Sequence, residues 1–203
     1  MTTTPSATER AASHRARLLD GLADAVRADR FAAVSVADVV RLARTSRRTF
    51  YEHFASLEEC YVELMRRENR RIIAATAEAV DPAATWDAQI GQAVAAWARA
   101  AVDDPLLVRS WIRELSSLPA GRELQRELLE SFVDLTSALA AHPGIAASGI
   151  RPPSRAATVV LLGGLRELLA TSVEDGALED PAAVDELVRT ATAASIALVA
   201  AEL

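Results

Sequence analysis

Apolar side chains recur at helical spacing along almost the whole chain and nowhere alternate in the two-residue rhythm of a half-buried strand. Leu18, Leu22 and Val26 repeat every four residues with Leu19 and Ala23 beside them, while Arg17, Asp20, Asp24 and Arg27 fall on the other side. That spacing predicts an amphipathic helix from about Ser13 to Arg30. Val36, Val39, Val40 and Ala43 predict a second helix of barely two turns, opened by Ser35 with Asp38 as its partner in a capping-box-like pair. Thr45 and Ser46 offer a fresh cap. Phe50 and Phe54, four apart, then face inward on a third short helix from Arg47 to about Phe54. Ser56 and Glu59 read as a capping box opening a longer fourth helix, through Tyr61, Leu64 and Met65 to about Val80.

Beyond residue 80 the dipeptide Asp-Pro recurs at Asp81-Pro82, Asp104-Pro105 and Asp180-Pro181, each time ahead of a long apolar-periodic run. Aspartate can cap free N–H groups, and proline at the first helical position loses no hydrogen bond. With Pro119 as a further start and the Gly/Pro-rich 142–153 as a loop, helices are expected near 82–102, 105–117, 119–141, 154–174 and 181–201. The run from Ala156 to Val173 is apolar around most of its circumference. It carries adjacent Gly163 and Gly164 mid-helix, where close approach of another helix is the expected reason. A helix apolar on nearly all sides must be covered on nearly all sides, partly by the chain itself and partly by a second copy. Val160, Gly164, Leu168, Leu187, Ala191 and Leu198 on the last two helices are the expected dimer face.

Composition sharpens this picture. The 203 residues are 51 % hydrophobic but only 4 % aromatic, a bias toward closely packed helices. The net charge of −6 hides an asymmetry: residues 1–71 hold 13 arginines against 10 acids (+3), and the remainder 9 against 18 (−9). All basic side chains of the Lys/Arg class are arginine, whose planar fork contacts phosphate and guanine bidentately. The single cysteine, Cys60, can form no intrachain disulfide, which fits a reducing cytoplasm. No apolar run approaches the ~20 residues that span a bilayer, so no membrane association is expected. The N-terminal stretch lacks the apolar segment of a signal peptide, and residues 1–12 read as a disordered lead.

The chemistry concentrates in "SVADVVRLARTSRRTFYEHFASLEE", Ser35 to Glu59. Two short helices joined by a tight turn, with a longer helix behind them, describe a helix-turn-helix. With Phe50 and Phe54 inward, the other face of the third helix presents Ser46, Arg47, Arg48, Thr49, Tyr51 and His53. Such a face suits the major groove, where arginine grips guanine O6 and N7 and hydroxyls meet phosphates. The stretch "FAAVSVADVVRLARTSRRTFYEHFASLEECY" resembles the DNA-binding signature of the TetR family of transcriptional regulators. Ser35 matches the Ser/Thr before that family's second helix, Ala43 the alanine before the turn, Thr49–Phe54 the Tyr-x-His-Phe core, and "SLEE" the start of the fourth helix. Three positions depart from the pattern: Arg44 stands where glycine is frequent, Thr45 replaces a small apolar residue, and Leu57 replaces a lysine. The expected DNA-contacting set is therefore Ser35, Arg44, Thr45, Ser46, Arg47, Arg48, Thr49, Tyr51 and His53.

The resemblance implies an all-α chain with a three-helix helix-turn-helix domain at 13–60, a fourth helix at 57–80 linking head to body, and an effector-binding and dimerisation domain at 81–203. It implies a cytoplasmic homodimer that binds double-stranded DNA at a pseudo-palindromic operator and represses transcription until an apolar small molecule binds. Trp97, Trp111, Phe132 and Arg113 are the expected pocket residues, with Arg109, Glu114 and Gln89 as further polar candidates, and no cofactor or metal is expected. His14, His53 and His142 show no metal-ligand spacing and no Gly-rich phosphate loop appears, so an enzyme is not the expected reading. A small helical enzyme and a helical adaptor for an acidic protein are the alternatives.

Overall fold

The computed structural model describes residues 7–146, 148–149 and 151–200. Among these there are ten α-helices and no strand: α1 Ala7–Ala28, α2 Val36–Leu42, α3 Arg47–His53, α4 Leu57–Ala79, α5 Trp86–Asp103, α6 Pro105–Glu114, α7 Gly121–Ala140, α8 Pro143–Ala146, α9 Arg155–Glu174 and α10 Pro181–Ala200. Short 3-10 turns at Phe31–Ala33, Leu115–Ser117 and Ala177–Glu179 join neighbouring helices.

The first three helices form the head. Leu18, Leu22, Val26, Val39, Phe50 and Phe54 are nearly or wholly inaccessible, so the apolar stripes of all three meet in one dry centre. Gly21 lets α1 press on α2. A Cβ there would lie 2.8 Å from both the Ala43 amide and the Val39 carbonyl. The caps follow the sequence with one exchange of roles. Ser35 and Asp38 make the complete reciprocal box. Ser56 does accept from the Glu59 amide at 3.0 Å, but the Glu59 carboxylate reaches one residue further back, to the Ala55 amide at 2.6 Å. In the turn between α2 and α3, Arg44 adopts φ 49°, the left-handed conformation that favours glycine.

Several expected boundaries shift. α1 begins at Ala7, so residues 7–12 are helical rather than part of a disordered lead; residues 1–6 lie outside the described residues. Strong helix formers in "ATERAA" let the helix extend backward. Asp104 caps α6 through the Leu107 amide, with Pro105 first in the helix, and Pro181 opens α10. Asp81-Pro82 does neither. The Asp81 carboxylate accepts from the Ala83 amide at 2.9 Å, and the Gln89 side chain donates to the Pro82 and Ala84 carbonyls, holding a turn that delays α5 to Trp86. Within the expected 142–153 loop, Pro143–Ala146 forms the short α8, with Ile145 buried.

The head is continuous with the body. One apolar core runs from Leu18 and Phe50 through Tyr61, Leu64 and Met65 of α4 to Leu107, Leu115 and Leu124. A second, smaller core joins Ala101, Leu169, Leu178 and Leu187. The dimer residues expected from sequence divide between inside and outside. Leu187 and Ala191 turn inward, 4 % and 0 % exposed, because α10 packs lengthwise on α5; their side chains are unavailable to a partner. Leu168 packs beside the second core, and Leu198 is half-buried. Val160 is 65 % exposed, and Gly164 is exposed as well. A Cβ at Gly163 or Gly164 would meet nothing within 4 Å, so no helix of this chain approaches there. α9 is also the one helix among the described residues long and apolar enough, by length and composition, to cross a membrane, yet only 17 % of its apolar window is buried.

Candidate DNA-binding face and ligand cavities

The α2–turn–α3 unit positions the arginine cluster. Val40's carbonyl accepts from the Thr45 amide at 2.9 Å, closing the turn after Arg44. Ser46 Oγ then accepts from the Thr49 amide at 3.1 Å and lies 3.0 Å from Thr49 Oγ1, so both hydroxyls are tied at the start of α3. With Phe50 and Phe54 anchored inward, Arg47, Arg48 and Tyr51 project to solvent. Tyr51 is 59 % exposed and rests edge-on against Phe50, with ring centroids 5.3 Å apart. Arg48 donates to Glu52 at 3.0 Å, one turn along the same face. Arg44 and Ser35 are exposed at the borders of this face, while Thr45 and Thr49 are half-buried. His53 departs from the group: its half-buried ring meets His14 of α1 edge-on, with centroids 6.3 Å apart. Arg41 of α2 is exposed near the same surface and paired with Asp38; sequence spacing did not single it out.

Behind the face, α1 and α4 are cross-braced. Arg15 of α1 pairs with Glu63 and stands over the Phe54 ring, and Arg67 of α4 reaches Asp20 at 2.7 Å. Arg66 holds Glu127 of α7 through two bonds of 2.6 and 2.7 Å. Burial alone would raise the Glu63 carboxyl, but the hydrogen bonds from Arg15 and Arg66 outweigh it and hold the group below its ordinary value. Arg66 does the same to Glu127.

α6 grips the head at both ends. At its start, the capping Asp104 accepts from Arg27 Nε and Nη2 at 3.0 and 2.7 Å, which raises the arginine's pKa. At its end, the Glu114 carboxylate accepts from the Phe31 and Ala32 amides at 3.0 and 3.2 Å, and from Ser110 Oγ at 2.6 Å. Because the Ser110 hydrogen points to Glu114, the Tyr61 hydroxyl 2.8 Å away donates to Ser110. Tyr61 in turn stacks on Phe31, centroids 4.1 Å apart, and its burial pushes the phenol well above its ordinary value. Glu114 thus serves as a head-to-body clasp rather than the pocket group expected from sequence.

Three cavities of about 130, 70 and 360 Å³ lie among α4, α5, α6, α7, α9 and α10. Trp97 and Phe132 line all three, and Trp111 lines the second and third. Arg113 lines none of them; it is exposed and paired with Glu174 at 2.9 Å, a correction to its expected place in the pocket. Gln89 lines the first cavity with its amide fully engaged, donating to two carbonyls and meeting His142 at 3.0 Å. Thr76, Arg151 and Ser195 also line it, and no spacing signal marked them. Cys60 is buried in the head-side core, and burial pushes its thiol up to about 12, which keeps it protonated at neutral pH. Among the described residues, no three His, Cys, Asp or Glu side chains are grouped to hold a metal.

Compared by sequence, the chain matches no protein-family model and no curated protein. Compared by structure, it is similar to the fatty acid degradation regulator FadR from Bacillus halodurans. The TM-score is 0.72 at 15 % identity, covering 94 % of this chain and 95 % of that one. FadR from Bacillus subtilis, solved in complex with stearoyl-CoA, superposes with a TM-score of 0.72 at 18 % identity, covering 91 % and 97 %. A TetR-family transcriptional regulator from Mesorhizobium loti gives 0.72 at 19 % identity, covering 95 % and 98 %. At such identities the likeness is one of fold, and the fold is that of the TetR-family transcriptional regulators.

Proposed function

We propose that this protein is a DNA-binding transcriptional regulator that acts as a homodimer and responds to an apolar small molecule. The observation that carries the reading is the division of α3, with Phe50 and Phe54 sealed in the head and Arg47, Arg48 and Tyr51 turned out together. In this reading α3 enters the major groove. Arg47 and Arg48 address base edges, and Arg44, Thr45, Ser46, Thr49, Tyr51 and Ser35 meet the backbone on either side. His53 braces α3 against α1 and acts on DNA through that packing.

Dimerisation is supported by the uncovered apolar side of α9, where Val159 and Val160 are 41 % and 65 % exposed beside the open Gly163 and Gly164. A two-fold pairing through this side would present two α3 helices to half-sites about 34–36 Å apart, or somewhat more. Repression follows from occupying promoter DNA. Ligand control requires different affinities for two states of the protein. The second cavity is lined by Asp104, Leu107, Val108 and Trp111 of the segment that clasps the head, so occupancy there bears on the Arg27–Asp104 and Glu114–Phe31 links.

The test is a mobility-shift assay on the DNA upstream of the protein's own gene at two salt concentrations. Binding falls steeply with salt as counterions are released. Arg48→Ala weakens it by about 1–3 kcal/mol and relaxes preference at one base position, and Tyr51→Phe weakens all sequences about equally. Unchanged binding in both variants would remove α3 from the interface.

A further inference from the structure

The three body cavities all border Trp97 and Phe132. Each is several times larger than the ~10–15 Å³ that one water occupies by this measure. Along α5 their lining runs from Trp86 to Ala101 and on to Asp104, roughly 27 Å at 1.5 Å per residue. Apolar space spread over that length on the sides of two shared aromatic residues suits a long flexible chain better than a compact fused-ring body.

Polar groups on the wall of the first cavity are few, and most are committed. The Gln89 amide is engaged as described, Thr136 Oγ1 donates to the Val133 carbonyl, and Ser195 Oγ donates to the Ala191 carbonyl. Thr76 is the exception. It is 3 % exposed, and its Oγ1 is the buried side-chain polar atom that lacks any hydrogen-bond partner among the described residues. A buried hydroxyl without a partner is costly to maintain, and this one stands on a cavity wall. Arg151 is the one charged residue lining the same cavity; no carboxylate accompanies it, and no ion pair engages it among the described residues.

Resting on the ligand-binding part of the function proposed above, we infer that this cavity system takes a long-chain aliphatic monocarboxylate. The head group lies in the first cavity, where one carboxylate oxygen pairs with the Arg151 guanidinium and the other accepts from Thr76 Oγ1–H. The chain runs along Trp97 and Phe132 toward the other two cavities. A single cation on the wall balances a single negative charge, which argues for the free acid over a ligand carrying several phosphates.

The experiment titrates the full-length protein with octanoate, dodecanoate, hexadecanoate, hexadecan-1-ol and hexadecanoyl-CoA, following tryptophan fluorescence. Affinity is expected to rise more than about a hundredfold from octanoate to hexadecanoate as methylenes are buried. Arg151→Gln weakens hexadecanoate about tenfold and leaves the alcohol unchanged, the size of a lost charge-assisted bond. Thr76→Val weakens the acid about fivefold while raising the melting temperature of the empty protein, a pairing that a purely structural hydroxyl would not produce. Equal binding of acid and alcohol, no dependence on chain length, tighter binding of the thioester, or indifference to Arg151→Gln would each overturn the inference. A shift assay on the same samples separates the two readings. A protein that binds its upstream DNA but no acid overturns this inference alone, and one that binds the acid but no DNA overturns the regulator reading alone.

Discussion

The head and the body are both helical, yet they are packed to different ends. In the head, three helices close on Leu18, Leu22, Val39 and Phe50, each 0 % exposed, with Gly21 bringing backbone against backbone. Val26 and Phe54 close the same centre, and Arg47, Arg48 and Tyr51 of α3 are left outside it. In the body, the helices border three partly open cavities and leave one side of α9 bare. Dense packing holds the outward face of α3 in a single geometry, because a close-packed core has no low-cost alternative arrangement. A loosely filled body can exist in more than one packing, which a ligand needs if it is to shift a population. Under the proposed function this contrast divides the labour of the chain: the head is the part that recognises, and the body the part that adjusts.

Paired truncations test that contrast most strongly. Phe50→Ala is expected to cost about 3–5 kcal/mol in denaturant unfolding, since it opens a void in a sealed core. Trp97→Ala removes more atoms but from a wall already bordered by cavities, and is expected to cost less than about 3 kcal/mol. Equal losses would erase the distinction between the regions. Glu114→Ala removes the acceptor for two backbone amides and Ser110; it is expected to cost about 1–3 kcal/mol and to weaken any ligand effect on DNA binding in a shift assay.

Arg44→Gly separates stability from recognition within the head. Relief of the left-handed strain at φ 49° is expected to stabilise the fold by about 1 kcal/mol while DNA affinity falls and its salt dependence becomes shallower. The smallest effect is in acid. Glu63 and Glu127 sit below their ordinary value of 4.5, so their contribution is complete above that pH and is lost as pH falls through their depressed values. Both pairs are partly solvated, so the loss is expected to stay under about 1 kcal/mol each. Glu127→Gln should lower the neutral plateau by under about 1 kcal/mol and flatten the acid limb of a stability–pH curve below pH 4.5.

Much of the head was legible in the linear chain. Ser35, Ser46 and Ser56 announce three helix starts because a cap bonds an amide only two or three residues away. Phe50 and Phe54 announce their buried side through four-residue spacing. The body gave weaker signals. Asp104-Pro105 and Asp180-Pro181 preceded helices, but Asp81-Pro82 became a turn because Gln89, seven residues beyond Pro82, ties its carbonyl. Arg113 looked like a pocket group and paired outward with Glu174, 61 positions along.

The sequence by itself therefore determined what local bonding and periodicity control: helical class, the caps, the helix-turn-helix and the side of α3 that faces water. Only the tertiary structure decided that Glu114 clasps Phe31, that Leu187 and Ala191 turn inward, that Gly163 and Gly164 stand open, and that Thr76 and Arg151 share a cavity wall. These outcomes depend on groups far apart in the chain. Helical spacing states which side chains share a face, but the neighbour that face meets is set by how whole helices pack.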